Sequence, residues 1–306
     1  MTTTIFIDGE AGTTGLQIRE RLLGRDDLTL LEIDPDRRKD TEERRRLLNA
    51  SDIAILCLPD AAARDSVRLI ENESTRVIDA SSAHRTSDGW TYGFPEIGAE
   101  QTEALRRADR VSNPGCWPQG AIAGLRPLVD AGLIPAAMPV TVHGVSGYTG
   151  GGRSMIADYE NAGAAASEYT PYALMLEHKH MPELQRYSGL SARPLFTPAV
   201  GRFPQGMVVI TTLQLATLSD VPTVARLHEA VADHHAAVAD GAVAVAPLSE
   251  SPALDPGSHV GSDRMTLHVF GNDAHGQAVL VAVYDNLGKG ASGAAVQNLR
   301  LMLERS

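Results

Sequence analysis

Cys116 lies in the stretch Ser112-Asn113-Pro114-Gly115-Cys116-Trp117-Pro118-Gln119-Gly120, where a turn meets an apolar helical run. Asn113-Pro114-Gly115 is a turn signal, because proline fixes φ and glycine accepts conformations that other residues avoid. A thiol beside the first backbone N–H groups of a helix has its anion stabilised, which makes it a nucleophile at neutral pH. The competing reading is a small buried hydrophobe, the commonest use of a lone cysteine. Glu177-His178-Lys179-His180-Met181-Pro182-Glu183 adds two histidines ahead of a helix start at Pro182. Histidine is the usual proton-handling partner of an active thiol. Two histidines at i,i+2 also admit a metal reading, but no cysteine or acidic cluster stands at ligand spacing, so no metal is expected. His228-Glu229 begins like a zinc-protease motif and fails at Ala232. Arg85, in Asp79-Ala80-Ser81-Ser82-Ala83-His84-Arg85, can fork onto a phosphate or serve as a surface arginine.

These groups need a scaffold, and the first hundred residues supply a recognisable one. The apolar run Thr4–Asp8 leads at once into Gly9-Glu10-Ala11-Gly12-Thr13-Thr14-Gly15, and helical spacing continues from Leu16 to Leu23. Strand, glycine turn and helix in that order suit a dinucleotide. Gly9 permits the turn, Gly12 the approach of a pyrophosphate, and Gly15 close helix–strand packing, with the anion on the helix N-terminus. The spacing is G-x-x-G-x-x-G, so an ordinary glycine-bearing turn is the alternative. Further short apolar runs follow at Leu28–Ile33, Ile53–Leu58 and Val77–Ala80, with a helical segment at Ala61–Ile70. Cys57 falls in the third run and reads as core. The alternation predicts α/β architecture: a Rossmann-like, doubly wound parallel sheet. After the second run come Arg37, Arg38 and Lys39, cations suited to a ribose 2′-phosphate, so NADP is favoured over NAD. A solvated charge run opening the Arg44-Arg45-Arg46 helix is the alternative.

Past Cys116 the rhythm changes. Ala121–Val129 reads as a helix bent at Pro127, and Val140–Val145, Met207–Leu215, Met265–Phe270 and Ala278–Tyr284 as strands. Met265, Leu267 and Val269 alternate with Thr266 and His268, as in a half-buried antiparallel strand. Ser146–Ser154, with three successive glycines, reads as a loop whose backbone approaches a ligand or another chain. Val221–Val238 reads as a helix with His228, His234 and His235 at its polar positions. This half is α+β. The expected domains are 1–116, completed by a returning helix at 288–306, and 117–287.

At 306 residues, 43% hydrophobic and 21% charged, the chain has ordinary globular proportions. A net charge of −11 argues against nucleic acid or an anionic membrane as the main partner. Two cysteines are too few for a disulfide framework, no signal-peptide pattern opens the chain, and no run approaches ~20 apolar residues. A soluble cytoplasmic protein is expected.

Taken together, the motifs resemble N-acetyl-γ-glutamyl-phosphate reductase in its shorter form, a relative of aspartate-semialdehyde dehydrogenase. The resemblance rests on Gly9-x-x-Gly12-x-x-Gly15, Asp79–Arg85, Tyr92-Gly93-Phe94-Pro95-Glu96, Ser112–Cys116 and His178-x-His180-x-Pro182-Glu183. Phe203-Pro204-Gln205-Gly206-Met207 and Asp285-Asn286-Leu287-Gly288-Lys289-Gly290-Ala291 complete it. It implies reductive dephosphorylation of an acyl phosphate by NADPH through a cysteine thioester, in arginine biosynthesis, by a homodimer or homotetramer. By that likeness Cys116 is the nucleophile, and His178 or His180 the acid–base group. Arg85, Ser112, Asn113 and Glu183 contact the substrate. Gly9, Gly12, Thr13, Thr14, Gly15, Arg37, Arg38, Ser81 and Asn286 hold the cofactor. The alternatives are aspartate-semialdehyde dehydrogenase chemistry, a non-catalytic NADP-binding sensor with a structural Cys116, and a thiol hydrolase.

Overall fold

The computed structural model describes residues 2–248 and 253–304. The chain divides into two compact units, one of Met1–Phe94, Glu103–Pro114 and Ala291–Ser306, the other of Pro95–Thr102 and Gly115–Gly290.

In chain order the first elements are β1 (Thr3–Asp8), α1 (Thr13–Leu22), β2 (Leu28–Leu31), α2 (Thr41–Ala50), β3 (Ile53–Leu56) and α3 (Asp60–Leu69). Then come β4 (Arg76–Asp79), β5 (Thr91–Tyr92), α4 (Ala99–Arg107) and β6 (Arg110–Ser112). The six strands form one sheet in the order β2-β1-β3-β4-β6-β5, parallel at every pairing. The doubly wound sheet expected from the apolar runs is present. Its central strand β3 is apolar at every position, and β1 and β4 are apolar in their middles, because both faces are covered. Ile5, Ile7, Ile53 and Ile55 point into one core with Ile18 and Leu22 of α1. Phe6, Ala54 and Leu56 point the opposite way, against Leu47 and Leu48 of α2 and Ala63 of α3. That is the period-two alternation of a strand. The last helix, α9 (Gly293–Leu303), completes the first core with Ala295, Leu299, Leu301 and Met302. Arg76 donates to the Met302 carbonyl at 2.5 Å.

The second unit holds α5 (Cys116–Asp130), β7 (Thr141–Gly147), α6 (Gly152–Ala162), β8 (Tyr169–Pro171), α7 (Met181–Ser188) and β9 (Leu195–Gly201). Next come β10 (Met207–Gln214), α8 (Val224–Ala236), β11 (Val243–Val245), β12 (Met265–Asn272) and β13 (Gln277–Tyr284). Its seven-stranded sheet runs β11-β12-β13-β10-β7-β9-β8. The β7–β9 and β11–β12 pairs are parallel and the others antiparallel. One face packs under α5, where Gly120 and Gly124 let the helix approach Val209, Leu280 and Ala282 closely. In β12, Met265, Leu267 and Val269 are buried and Thr266, His268 and Phe270 half-buried, as their alternation predicts.

Two expectations need correction and two gain detail. Ser146–Ser154 is not a loop throughout: Gly147 ends β7, a short turn follows, and α6 starts at Gly152, whose φ is +74°. The close approach there is made by Gly147 to the Pro204–Gln205 turn of the same unit. Cys57 lies one residue past β3, half-buried, and packs against the first core as expected. α5 continues through Pro127 to Asp130, and the Ala123 carbonyl, which Pro127 cannot meet, is bonded by His235 Nε2 instead. Finally, the α8 histidines are anchors rather than a polar face: each presents Nε2 to a carbonyl, His228 to Ala246, His234 to Glu96 and His235 to Ala123.

Candidate active site and cofactor loop

Cys116 is the first residue of α5, and Gly115, extended at φ −70° and ψ 153°, caps the helix without a side chain. The missing cap comes from α7, where buried Glu183 accepts the Gly115 N–H at 3.0 Å. Pro118 has no N–H, so the Cys116 and Trp117 amides make up the rest of the first-turn donors. Those amides and the positive end of the helix favour an anion at this point. The thiol is half-buried. Its carbonyl accepts a hydrogen bond from Tyr284 Oη at 2.5 Å, and the same hydroxyl accepts the Gly120 N–H at 3.3 Å.

The two histidines sit in the same cluster. His178 and His180 meet edge to face with ring centres 4.7 Å apart, and His178 packs edge-on to Phe196 at 5.2 Å. Phe196 also packs against Trp117, the residue after the cysteine, at 5.6 Å. Trp117 Nε1 donates to Tyr172 Oη at 3.0 Å, and the Tyr172 ring lies 5.7 Å from His178. His178 Nδ1 accepts the His180 N–H at 3.1 Å, so a neutral His178 carries its proton on Nε2. His180 is buried and His178 half-buried. Burial, and then the negative charge of Cys116, push the hydroxyls of Tyr172 and Tyr284 above the usual tyrosine range. Both phenols therefore remain O–H groups near the thiol.

The remaining site residues fall into two frames. In the first unit, Arg85 is buried, and donates from Nε to the Asn113 carbonyl at 3.0 Å and from Nη2 to the Ala80 carbonyl at 3.3 Å. Asn113 donates to the Ala291 carbonyl, and its Oδ1 accepts from Asn298 Nδ2, both at 3.0 Å. Ser112 Oγ reaches the Thr91 carbonyl at 3.5 Å. Ser81 bonds buried Asp79 through both N–H and hydroxyl, and Asp79 also meets His84 Nδ1 at 2.6 Å. In the second unit, Asn286 Oδ1 accepts the Gly206 N–H and its Nδ2 donates to Thr149 Oγ1.

The glycine turn links β1 to α1. Gly9 has φ +88°, and a side chain there would collide with the Cys57 carbonyl. A Cβ at Gly15 would stand 2.7 Å from the Gly9 carbonyl, whereas at Gly12 its nearest neighbour would be 3.4 Å away. Gly12 caps α1 without a side-chain bond, and the helix begins with half-buried Thr13 and Thr14 and no acidic residue. An uncapped, uncharged helix start with an open glycine fits a dinucleotide pyrophosphate. Past β2, Arg37 is held by Asp40 at 2.8 Å and Glu43 at 2.9 Å, while Arg38 and Lys39 are exposed. Cys57 has its thiol pushed up to about 12 by burial and by the charges of Asp79 and Asp8. No metal-ligating cluster appears among the described residues, and no described helix is long and apolar enough to cross a membrane.

Sequence reasoning missed Tyr172 and Tyr284, and gave Lys289 and Glu96 no role although both stand in quoted motifs. Tyr172 carries no spacing signal, since it precedes His178 across an irregular segment with Ala173 and Leu176 at positive φ.

Comparison with known proteins adds a second line of argument. Residues 9–105 match the semialdehyde dehydrogenase NAD-binding domain, and residues 116–286 the semialdehyde dehydrogenase dimerisation domain. The chain is 60% identical to N-acetyl-gamma-glutamyl-phosphate reductase of Chelativorans sp., over 99% of each chain. It is 59% identical to the enzyme of that name from Mesorhizobium japonicum, over 98% of each. It is also 51% identical to N-acetyl-gamma-glutamyl-phosphate reductase 2 of Pseudomonas putida, over 99% of this chain and 97% of that one. Among solved structures, aspartate semialdehyde dehydrogenase II from Vibrio cholerae superposes with a TM-score of 0.76 at 16% identity, covering 99% of both chains. Aspartate semialdehyde dehydrogenase with NADP from Candida albicans gives 0.72 at 14% identity, covering 100% of this chain and 99% of that one.

Proposed function

The chain belongs to the N-acetyl-γ-glutamyl-phosphate reductase family, and from that premise we propose that it reduces N-acetyl-γ-glutamyl phosphate to the semialdehyde and phosphate, in arginine biosynthesis. The observation that carries the reading is Cys116 at the start of α5, with Glu183 on the Gly115 N–H and the His178–His180 pair in the same cluster.

The Cys116 thiolate attacks the acyl carbon, and the tetrahedral oxyanion is met by the first-turn amides of α5 and the Nε2–H of His178. Phosphate leaves with the electron pair of its C–O bond, and a thioester remains on Cys116. NADPH, held at the glycine turn, would supply the hydride that reduces the thioester carbonyl, and a histidine of the 178/180 pair would protonate the resulting oxyanion, giving a thiohemiacetal. A histidine of the 178/180 pair then takes the hydroxyl proton as the C–S bond breaks and aldehyde departs. Glu183 holds the Cys116 turn in place, and its polar bond is to the protein. Ser112 and Asn113 act through the frame that fixes Arg85. Arg85 remains the proposed phosphate contact.

NADP is the proposed cofactor, held at the Gly9–Gly15 turn with Thr13, Thr14 and Ser81 beside it and Asn286 on the nicotinamide side. Because Arg37 is taken up by two carboxylates, Arg38 with Lys39 is assigned the 2′-phosphate. A homodimer, or a tetramer built from it, is the proposed assembly, with the cytoplasm as its location. The match of residues 116–286 to a semialdehyde dehydrogenase dimerisation domain supports the dimer.

The test is turnover in the reverse direction, following nicotinamide absorbance with phosphate and each candidate semialdehyde. N-acetylglutamate semialdehyde should be oxidised and aspartate semialdehyde should not. Preference for the shorter aldehyde would assign aspartate-semialdehyde chemistry instead, and NADP binding without turnover would leave a sensor.

A further inference from the structure

Lys289 is fully buried, a placement lysine almost never takes unless paired. Its Nζ lies 2.7 Å from Oε1 of Glu96, itself buried. The same oxygen accepts the Ala242 N–H at 2.7 Å, and the Glu96 carbonyl meets His234 Nε2 at 2.9 Å. Burial draws the Lys289 pKa down, while Glu96 and Asp263 oppose the shift. Such a pair is a weak source of stability, because an apolar pair of similar volume often serves as well or better. Its presence needs another account.

The location offers one. Lys289 sits in a π-helical turn, Gly288–Ser292, a rare geometry that occurs often at functional sites. Buried Asp285 pins the start of the stretch: Oδ1 accepts the Leu287 N–H at 2.9 Å and Oδ2 the Gly261 N–H at 2.8 Å. Its carbonyl accepts the Gly290 N–H at 2.9 Å. The stretch then meets the nucleophile twice. Tyr284 donates to the Cys116 carbonyl, and at Gly290 a Cβ would stand 3.2 Å from the Cys116 Cβ and 3.0 Å from the Asp285 carbonyl. The residue beside the buried lysine is thus the one that sets the space around the cysteine.

We propose that the buried Lys289–Glu96 ion pair is a positioning device for the Cys116 thiol, fixing the Gly288–Ser292 turn so that Gly290 sets the direction of the cysteine side chain. This rests on Cys116 being the nucleophile.

The experiment compares the unmutated protein with the Glu96→Gln/Lys289→Met double variant and with Gly290→Ala. Methionine keeps most of the lysine stem, and glutamine keeps the acceptor for Ala242. Three quantities are read: the pH profile of Cys116 alkylation, kcat and KM for phosphate in the reverse direction, and the Kd for NADPH. The double variant should bind NADPH within about twofold of the unmutated protein yet lose about tenfold or more in kcat, with KM for phosphate little changed. Its alkylation midpoint should move to higher pH, as the thiolate leaves its best alignment with the helix start. Gly290→Ala should shift both readings the same way by less. A folded double variant with unmutated kcat and midpoint makes the pair merely structural and overturns the proposal. If the double variant does not fold, Gly290→Ala decides alone: unchanged kcat and midpoint overturn the proposal, and their loss with NADPH binding retained supports it. Failure of the underlying reading looks different: the unmutated protein would keep turning over with Cys116 fully alkylated.

Discussion

Acid should weaken the second unit through His235, by an amount the structure sets. Its ring is buried on α8, and its pKa is lowered to about 4, first by burial. The bond from Nε2 to the Ala123 carbonyl and the Glu96 charge oppose the shift, and His234 and Lys289 add to it. In the unfolded chain the ring titrates near 6.5. The folded state requires the neutral ring, so stability is complete above about pH 6.5 and falls as the unfolded chain gains its proton. With one pKa unit worth about 1.4 kcal/mol, the loss is about 2 kcal/mol at pH 5 and levels off near 3 kcal/mol below pH 4. The assay is urea denaturation between pH 5 and pH 8, for the unmutated protein and for His235→Gln, whose side chain does not titrate. Other acid-sensitive groups affect both proteins alike. The stability difference between them should therefore change by about 2 kcal/mol over the range, to the relative benefit of His235→Gln in acid. Parallel curves would show that His235 is not held neutral in the folded protein.

Alkylation at neutral pH should modify Cys116 and abolish turnover while Cys57 stays intact, since the Cys57 thiol titrates only at about 12; peptide mass spectrometry with activity followed in parallel checks this. Arg38→Ala/Lys39→Ala should narrow the preference for NADPH over NADH by about tenfold or more, whereas Arg37→Ala alone should change it little; the ratio of kcat/KM values for the two cofactors decides. Gly9→Ala should destabilise the first unit by about 1–3 kcal/mol and weaken dinucleotide binding, because the residue has φ +88° and no room beside the Cys57 carbonyl; thermal melts and a cofactor titration measure both. Arg85→Ala should raise KM for phosphate while leaving the NADP Kd within about twofold; a reversed pattern would move Arg85 out of the phosphate site.

The first unit was readable because its signals are local. Ile53-Ala54-Ile55-Leu56 is apolar at every position, the mark of a strand covered on both faces, and Gly9 needed its positive φ whatever lay elsewhere. β9 was not readable, because Pro198 interrupts it and proline argues against a strand inside a sheet. The Pro198 carbonyl accepts the Tyr172 N–H at 3.0 Å, so the proline's missing donor lies on that side, just past the end of three-residue β8. β8 is three exposed residues with no pattern. At the candidate site the residue types were legible and their partners were not. Nothing near Arg85 announces that its donors meet the carbonyls of Ala80 and Asn113. Nothing near Lys289 announces Glu96, far back in the chain. Buried polar groups are paired by topology, which local spacing does not encode.

The return of α9 to the first unit has a consequence for synthesis on the ribosome. Ile5, Ile7, Ile18 and Leu22 emerge early, but Ala295, Leu299, Leu301 and Met302, which share their core, emerge only after the whole second unit. Until then that face of the nascent sheet is covered only in part, by α1 and α4, and an apolar sheet face left partly open is a target for chaperones and for aggregation. A ribosome that stalls or terminates before α9 would release a thiol-bearing second unit joined to a first unit whose core lacks four of its buried residues.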